Sequence, residues 1–260
     1  MDEVAFTRTG HGEPLVLIHG IGHRRQAWDP VVPLLAPHRD VIAVDLPGFG
    51  ESPPHDGIYG IDTALAAFAK FFAEVGLDRP HVAGNSLGGL LSLALGEAGL
   101  VRSVTALSPA GLWTEPQQRY AVVMLRAHRE VAKHLPERVM ARLADSGVSR
   151  TLIAGMIFDK PWLLSPQRIM DDARALATAP GFLPTLAEAK AGFRFEGPVT
   201  GIPVTIAWAA RDRILARPKA GYVRRVAPEA ELLLLTGCGH VPMSDDPELV
   251  AKVLLDGSMG

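Results

Sequence analysis

The sequence predicts an α/β protein with a mostly parallel central sheet and helices on both of its faces. Three observations predict it. Short, β-branched apolar runs recur along the chain, and turn residues follow each one closely. Helical patterns lie between these runs. Strands alternating with helices build a doubly wound parallel sheet.

The strands are read first. Leu15 to Ile18 ends at His19-Gly20, Val41 to Val44 at Asp45-Leu46-Pro47-Gly48, and His81 to Ala83 at Gly84-Asn85-Ser86. Val104 to Leu107 ends at Ser108-Pro109, Val204 to Trp208 precedes Arg211-Asp212, and Leu232 to Leu235 ends at Thr236-Gly237. Runs apolar at successive positions suit parallel strands buried on both faces.

The helices follow. Ile61 to Val75 carries Leu65, Phe68, Phe72 and Val75 at three-to-four spacing, the mark of one apolar stripe. Leu87 to Leu95 is small and apolar throughout, as a buried helix would be. Asp246-Pro247 opens a final helix through Leu255, with proline at a favoured first-turn position.

One stretch breaks the rhythm. From about Leu112 to Pro198 no strand is evident, and four amphipathic helices are expected: Gln117 to Leu135, Glu137 to Asp145, Val148 to Met156 and Pro166 to Ala177. A helical block between two sheet strands reads as a lid over the C-terminal edge of the sheet, where open α/β sheets bind ligands. Helices that merely cover one sheet face are the alternative. The expected organisation is a core of residues 1–111 and 199–260, with a helical lid, or cap, of residues 112–198.

Composition narrows the function. The chain has 260 residues, 48% of them hydrophobic, enough for one sizeable core. With 26 basic and 28 acidic residues the net charge is −2, which gives no reason to expect a nucleic-acid partner or an anionic membrane surface. The single cysteine, Cys238, excludes an internal disulfide and fits a reducing compartment. The start Met1-Asp2-Glu3-Val4 is not basic and leads into no signal-length apolar run, and no stretch is long enough to span a bilayer. A soluble cytoplasmic protein acting on a small molecule is expected, with the oligomeric state open.

The segment His81-Val82-Ala83-Gly84-Asn85-Ser86-Leu87-Gly88-Gly89 holds Gly-x-Ser-x-Gly, a nucleophile elbow between a strand and a helix. A serine in so sharp a turn needs small neighbours two residues away. The turn lifts Oγ above the sheet and sets it at a helix N-terminus, where the Leu87 N–H can donate to an oxyanion. The N–H of Ile21, in the glycine-rich His19-Gly20-Ile21-Gly22 loop, is the candidate second donor. His19 is read as a loop fastener.

A serine hydroxyl needs a base. The chain order for an elbow of this kind is serine, acid, histidine. Only His128, His134 and His240 follow Ser86, and the first two lie in polar helices where solvation is expected. His240 follows a strand within Gly237-Cys238-Gly239-His240, so it is the candidate base. Asp212, one strand earlier, falls on the same sheet edge and would orient the imidazole and stabilise its cation. A surface Asp paired with Arg211 or Arg213 is the alternative. The loop after Leu107 holds no carboxylate, and Asp45 precedes the serine and is read as structural. A catalytic role for Cys238 is not expected, because no second histidine is placed to activate it.

His19-Gly20, Asp45-Leu46-Pro47-Gly48-Phe49-Gly50, Gly84-Asn85-Ser86-Leu87-Gly88-Gly89, Asp212 and Gly239-His240 stand in an order that resembles the α/β-hydrolase superfamily. The resemblance runs from about Leu15 to Leu255 and implies the α/β-hydrolase fold, an inserted cap, and no metal or organic cofactor. Ser86 at the elbow departs from the dehalogenases and epoxide hydrolases of this fold, which carry Asp there. Two branches remain: small-molecule carboxylesterases, and carbon–carbon hydrolases of ring-fission diketo acids. The elbow is similar to the second branch. Gly22-His23-Arg24-Arg25 and Val241 depart from it, where that branch tends to carry small residues and Trp. Some proteins of the fold are small-ligand receptors instead.

The favoured reading is an ester hydrolase working through an acyl-enzyme. Trp113, Met156, Phe158 and Trp162 are candidate acyl-pocket residues, with packing between helices as their alternative role. A diketo acid would need an arginine facing Ser86, from among Arg24, Arg25, Arg168 and Arg174. The expected arrangement is an apolar pocket with these arginines turned to solvent.

Overall fold

A computed structural model describes residues 4–57 and 59–259, so Met1 to Glu3, on which the reading of the N-terminus rests, lie outside the described residues. Seven strands form one sheet: β1 (Phe6–Gly10), β2 (Pro14–Ile18), β3 (Asp40–Val44), β4 (His81–Asn85), β5 (Ser103–Leu107), β6 (Val204–Ala209) and β7 (Glu231–Leu235). Their spatial order is β1-β3-β2-β4-β5-β6-β7. Only β1 runs antiparallel, pairing with β3, and every other ladder is parallel.

Burial explains which strands are legible in the sequence. β3, β4, β5 and β6 are buried at every position, and β2 at all but Pro14. β1 is exposed throughout and reads Phe-Thr-Arg-Thr-Gly, so it has no apolar run to betray it. β7 corrects the expectation of two buried faces. It is the sheet's outer edge, and Glu231, Leu232 and Leu234 are exposed.

The helices are α1 (Val32–Leu35), α2 (Ile61–Glu74), α3 (Leu87–Glu97), α4 (Glu115–His134), α5 (Glu137–Asp145), α6 (Gly147–Ala154), α7 (Pro166–Thr178), α8 (Phe182–Gly192), α9 (Ala220–Val226), α10 (Pro242–Asp245) and α11 (Pro247–Asp256). They cover two faces, giving one apolar cluster around Val16, Val82, Leu90 and Ile206 and another around Leu17, Trp28, Ala83 and Leu254. α3 is buried from Leu87 to Gly96, as its uniformly apolar sequence requires.

Helices α4 to α8 are all inserted between β5 and β6, which are neighbours in the sheet. α4 opens on a capping box in which Gln117 Oε1 accepts the Thr114 N–H at 2.8 Å. α7 opens on Ser165, whose hydroxyl caps Arg168 N–H. α8 is not evident in the sequence. It follows Pro180-Gly181, carries Pro184 in its first turn and lacks a clear polar face. Among the described residues no helix is long and apolar enough to cross a membrane.

Candidate active site

β4 runs straight into Ser86, whose backbone has φ 57° and ψ −114°. A positive φ is uncommon for a residue with a side chain, and it persists only where the surroundings over-determine it. Here Ser86 N–H donates to Leu107 O, and Ser86 O accepts from Leu90 and Ala110. The flanking glycines have no room for a side chain. A Cβ on Gly84 would stand 2.1 Å from Gly88 O, and one on Gly88 would stand 2.1 Å from Ile18 O.

Leu87 is the first residue of α3, so its N–H has no intrahelical acceptor. Among the described residues neither this N–H nor that of Ile21 finds a protein acceptor outside regular structure. The loop carrying Ile21 lies against the elbow, since a Cβ on Gly20 would meet Ser86 Cβ at 3.2 Å. His19 fastens that loop. Its buried ring accepts the Leu46 N–H at Nε2, at 3.0 Å, which leaves Nδ1 to donate to Gly20 O at 2.7 Å. Burial lowers the pKa of His19 and keeps it neutral in this role.

Asp212 and His240 stand on the loops after β6 and β7. His240 Nδ1 lies 2.8 Å from Asp212 Oδ2, with both side chains buried. The other carboxylate oxygen, Oδ1, accepts from Ile214 N at 2.9 Å and Leu215 N at 2.7 Å. Burial by itself would raise the Asp212 pKa. The neighbouring His240, its hydrogen bond and the two backbone N–H groups outweigh burial and hold it below the usual carboxylate range. The nearby arginines do not claim Asp212: Arg211 and Arg213 pair with Asp159 instead. A residue whose role sequence reasoning did not assign is Asn85, whose amide donates to the backbone O of His240 at 2.9 Å and to that of Leu107 at 3.2 Å.

Ser86 and His240 line one cavity of about 350 Å³. The loop after β2 enters it through Ile21, and the inserted helices close it with Leu125, Ile153, Phe158, Ile169 and Leu176. His23, His128 and Asp172 also line it and add polar groups. A second apolar cavity of about 410 Å³ is lined by Leu87, Phe71 and Phe193, but not by Ser86 or His240.

A sequence profile of the alpha/beta hydrolase family matches residues 15–253. The chain belongs to the alpha/beta hydrolase family. This alpha/beta hydrolase is 30% identical over 250 residues to the dihydrolipoyllysine-residue acetyltransferase component of an acetoin cleaving system from Pseudomonas putida, covering 94% of the chain but only 63% of that relative's length. A 2-hydroxy-6-oxo-2,4-heptadienoate hydrolase from Pseudomonas putida is 45% identical over 89 residues, 33% of this chain and 32% of the relative. A thermophilic esterase from Thermogutta terrifontis shares the fold, with a TM-score of 0.76 at 21% identity over 98% of this chain and 92% of its own.

Several expectations about the pocket of this hydrolase are corrected. Of the four candidate acyl-pocket residues only Phe158 lines the cavity. Trp113 is packed in the main core, Met156 is half-buried against that core, and Trp162 is exposed beside Gly147. Each follows its local packing, which the sequence of the inserted stretch does not encode. His134 is exposed as expected, but His128 is only partly so. It is half-buried on the cavity wall, with Nδ1 2.8 Å from Met124 O.

The arginines are corrected too. None of Arg24, Arg25, Arg168 or Arg174 lines the cavity, but they are not simply turned to solvent. Arg25 is buried and bridges Asp45 and Glu51, while Arg168 donates to Asp172 at 2.7 Å and to Gln26 O at 3.0 Å. Arg24 lies 3.8 Å from Asp171, and Arg174 pairs with Asp171 and Glu137. Asp45 is thus a structural anchor, also accepting the N–H groups of Arg25 and Glu51.

Proposed function

We propose that this hydrolase cleaves a small, uncharged carboxylic ester through an acyl-enzyme. Ser86 attacks the carbonyl carbon. His240, whose Nδ1 is engaged by Asp212, takes the serine proton at its other ring nitrogen and delivers it to the leaving alcohol. The N–H groups of Leu87 and Ile21 hold the oxyanion. Water then repeats the cycle and frees the acid. In this reading residues 1–111 and 199–260 form the catalytic core, and residues 112–198 form a lid that supplies most of the acyl pocket.

The observation that carries the reading is the character of the cavity. Its walls are mainly aliphatic, and Arg24, Arg25, Arg168 and Arg174 line none of it and are each paired with a carboxylate, Arg168 with Asp172 of the cavity wall. A buried substrate carboxylate would find no arginine or lysine among the described lining residues, and burying an unpaired charge is costly. The identity over 89 residues with a diketo-acid hydrolase favours carbon–carbon cleavage as the second reading.

The test uses a fluorophosphonate probe, followed by esters of graded acyl length and a short diketo acid. Labelling of the wild type at Ser86, its loss in Ser86→Ala, and turnover of apolar esters are expected. Turnover of the diketo acid alongside none of any ester would overturn the ester assignment. Ligand binding without multiple turnover of any substrate would favour a receptor.

A further inference from the structure

Tyr120 of α4 donates to Arg213 O at 3.0 Å, and a second link from the inserted helices to the Asp212 and His240 loops is one short segment, residues 155–160, which follows α6. Asp245 is its main anchor. This residue is buried in α10, just beyond His240. Its Oδ2 accepts the N–H of Gly239 at 2.7 Å and of Asp159 at 2.9 Å, and its Oδ1 accepts the N–H of Lys160 at 2.7 Å. Lys160 Nζ returns a hydrogen bond to Asp245 O at 3.1 Å. One carboxylate therefore joins the residue before His240 to two residues of the insertion. On the other side of His240, Val241 N–H donates to Ile157 O at 3.3 Å. The contact is close enough that a Cβ on Gly239 would stand 2.6 Å from Asp159 N.

The same segment grips the Asp212 loop. The Asp159 carboxylate, 2% exposed, takes Arg211 Nη1 at 2.9 Å and lies 3.6 Å from Arg213 Nη2. Those two arginines flank Asp212 in the chain. Arg213 Nη1 also donates to Gly155 O at 2.6 Å. The two loops are joined directly by Arg211 N–H to Cys238 O, at 3.0 Å, and by Asp212 to His240.

Hydrogen bonds from N–H groups to a buried carboxylate are charge-assisted and strong, and losing the acceptor leaves several buried donors unsatisfied. We propose that Asp245 is a positioning residue for His240, and that with Asp159 it makes the register of His240 against Asp212 depend on the docking of segment 155–160. This rests on the reading of Asp212 and His240 as a catalytic pair. It follows that the insertion does not lift as one piece during turnover. Residues 155–160 stay bound to the catalytic loops.

The experiment compares Asp245→Asn and Asp159→Asn with the wild type. Asp245→Asn keeps the shape but turns an NH2 donor toward backbone donors. Asp159→Asn leaves Asp245 intact and removes the charge facing Arg211 and Arg213. Rates are normalised to sites titrated by the fluorophosphonate probe, so that only folded, reactive enzyme is counted. For Asp245→Asn, kcat on the best ester is expected to fall about 10- to 100-fold, because small misplacements of a catalytic group cost that much. KM should change less than kcat, since Asp245 bonds Gly239, Asp159 and Lys160, none of which lines the cavity. The downfield proton resonance of His240 Nδ1–H, read by NMR in the resting protein, should move or broaden. Asp159→Asn should change both readouts in the same direction, by less.

Wild-type kcat with an unmoved resonance in Asp245→Asn overturns the proposal, and so does a loss that vanishes on site normalisation. If Asp245→Asn does not fold, Asp159→Asn decides, and wild-type values of both readouts overturn it. Absence of probe labelling in the wild type would instead remove the hydrolase mechanism. The resonance still tests the positioning in that case.

Discussion

His240 Nδ1 and Asp212 Oδ2 lie 2.8 Å apart, while the second oxygen of Asp212 is held by the N–H groups of Ile214 and Leu215. The carboxylate can therefore rotate little, and it fixes the imidazole by fixing the proton on Nδ1. Asp212→Asn keeps the size of the group but offers an amide in place of an ionised acceptor. The expected outcome is a fall in kcat of about four orders of magnitude with an intact fold, the scale such a change has in a well-studied serine triad. Steady-state kinetics on the best ester, with circular dichroism as a check on folding, measures it. A loss under about tenfold would mean that another group orients His240.

Gly88→Ala tests the packing of the elbow. The added methyl would stand 2.1 Å from Ile18 O and 2.7 Å from His19 O, both backbone atoms of the central sheet and its loop. Neither can yield without moving β2. A destabilisation at the top of the usual range for single substitutions, about 3 kcal/mol or more, is expected in urea denaturation. Near-wild-type stability would show that the turn is looser than its geometry indicates.

Acid should weaken the fold through His23. Burial pushes its imidazole down to about 4, against a smaller opposing pull from Asp172. The unfolded chain takes up this proton near pH 6.5, whereas the folded protein resists it until about 4. The unfolded state thus binds more protons in this window, and stability falls as pH drops from about 6.5 towards 4. A difference of that size corresponds to about 3 kcal/mol. Urea midpoints measured across this range should decline with acidification. In His23→Gln the decline should be shallower, with the remainder coming from groups such as His19, whose pKa burial also lowers. An identical slope in the variant would contradict the assignment.

Cys238 should be inert in the native protein. Burial, together with the charges of Asp245 and Asp246, pushes its thiol up to about 12. The thiolate is the reactive form, so iodoacetamide at about pH 8 should leave folded protein unmodified and fully active. Mass spectrometry should find complete alkylation only after denaturation. Rapid modification of native protein would show that the His240 loop opens far more readily than its hydrogen bonds suggest.

The buried strands are legible in the sequence because a parallel strand covered on both faces must be apolar at successive positions, as β3 and β5 are. Ser86 is legible because its turn tolerates only glycine at two neighbouring positions. The positions of Asp212 and His240 are legible because both follow recognisable strands, and parallel strands deliver their C-terminal ends to one edge. The exposed edge strand β1 carries no such signal, since only pairing with β3 makes its polar residues a strand.

By itself, then, the sequence determined the parallel sheet, the elbow, the family and the chain order of Ser86, Asp212 and His240, all of which follow from local patterns of burial and steric constraint. Tertiary structure alone decided the partners. Arg168 meets Gln26 and Asp172, Arg25 meets Asp45 and Glu51, and Phe158 rather than Trp162 lines the cavity that Ser86 enters. It also joined Asp245 to Asp159 and Gly239, a link between the inserted segment and the His240 loop. The physical reason is that an arginine, an aspartate or an aromatic ring has the same local preferences whichever neighbour it finds. What it binds depends on which distant segments the folded sheet and the inserted helices bring within about 3 Å of it, the reach of a hydrogen bond.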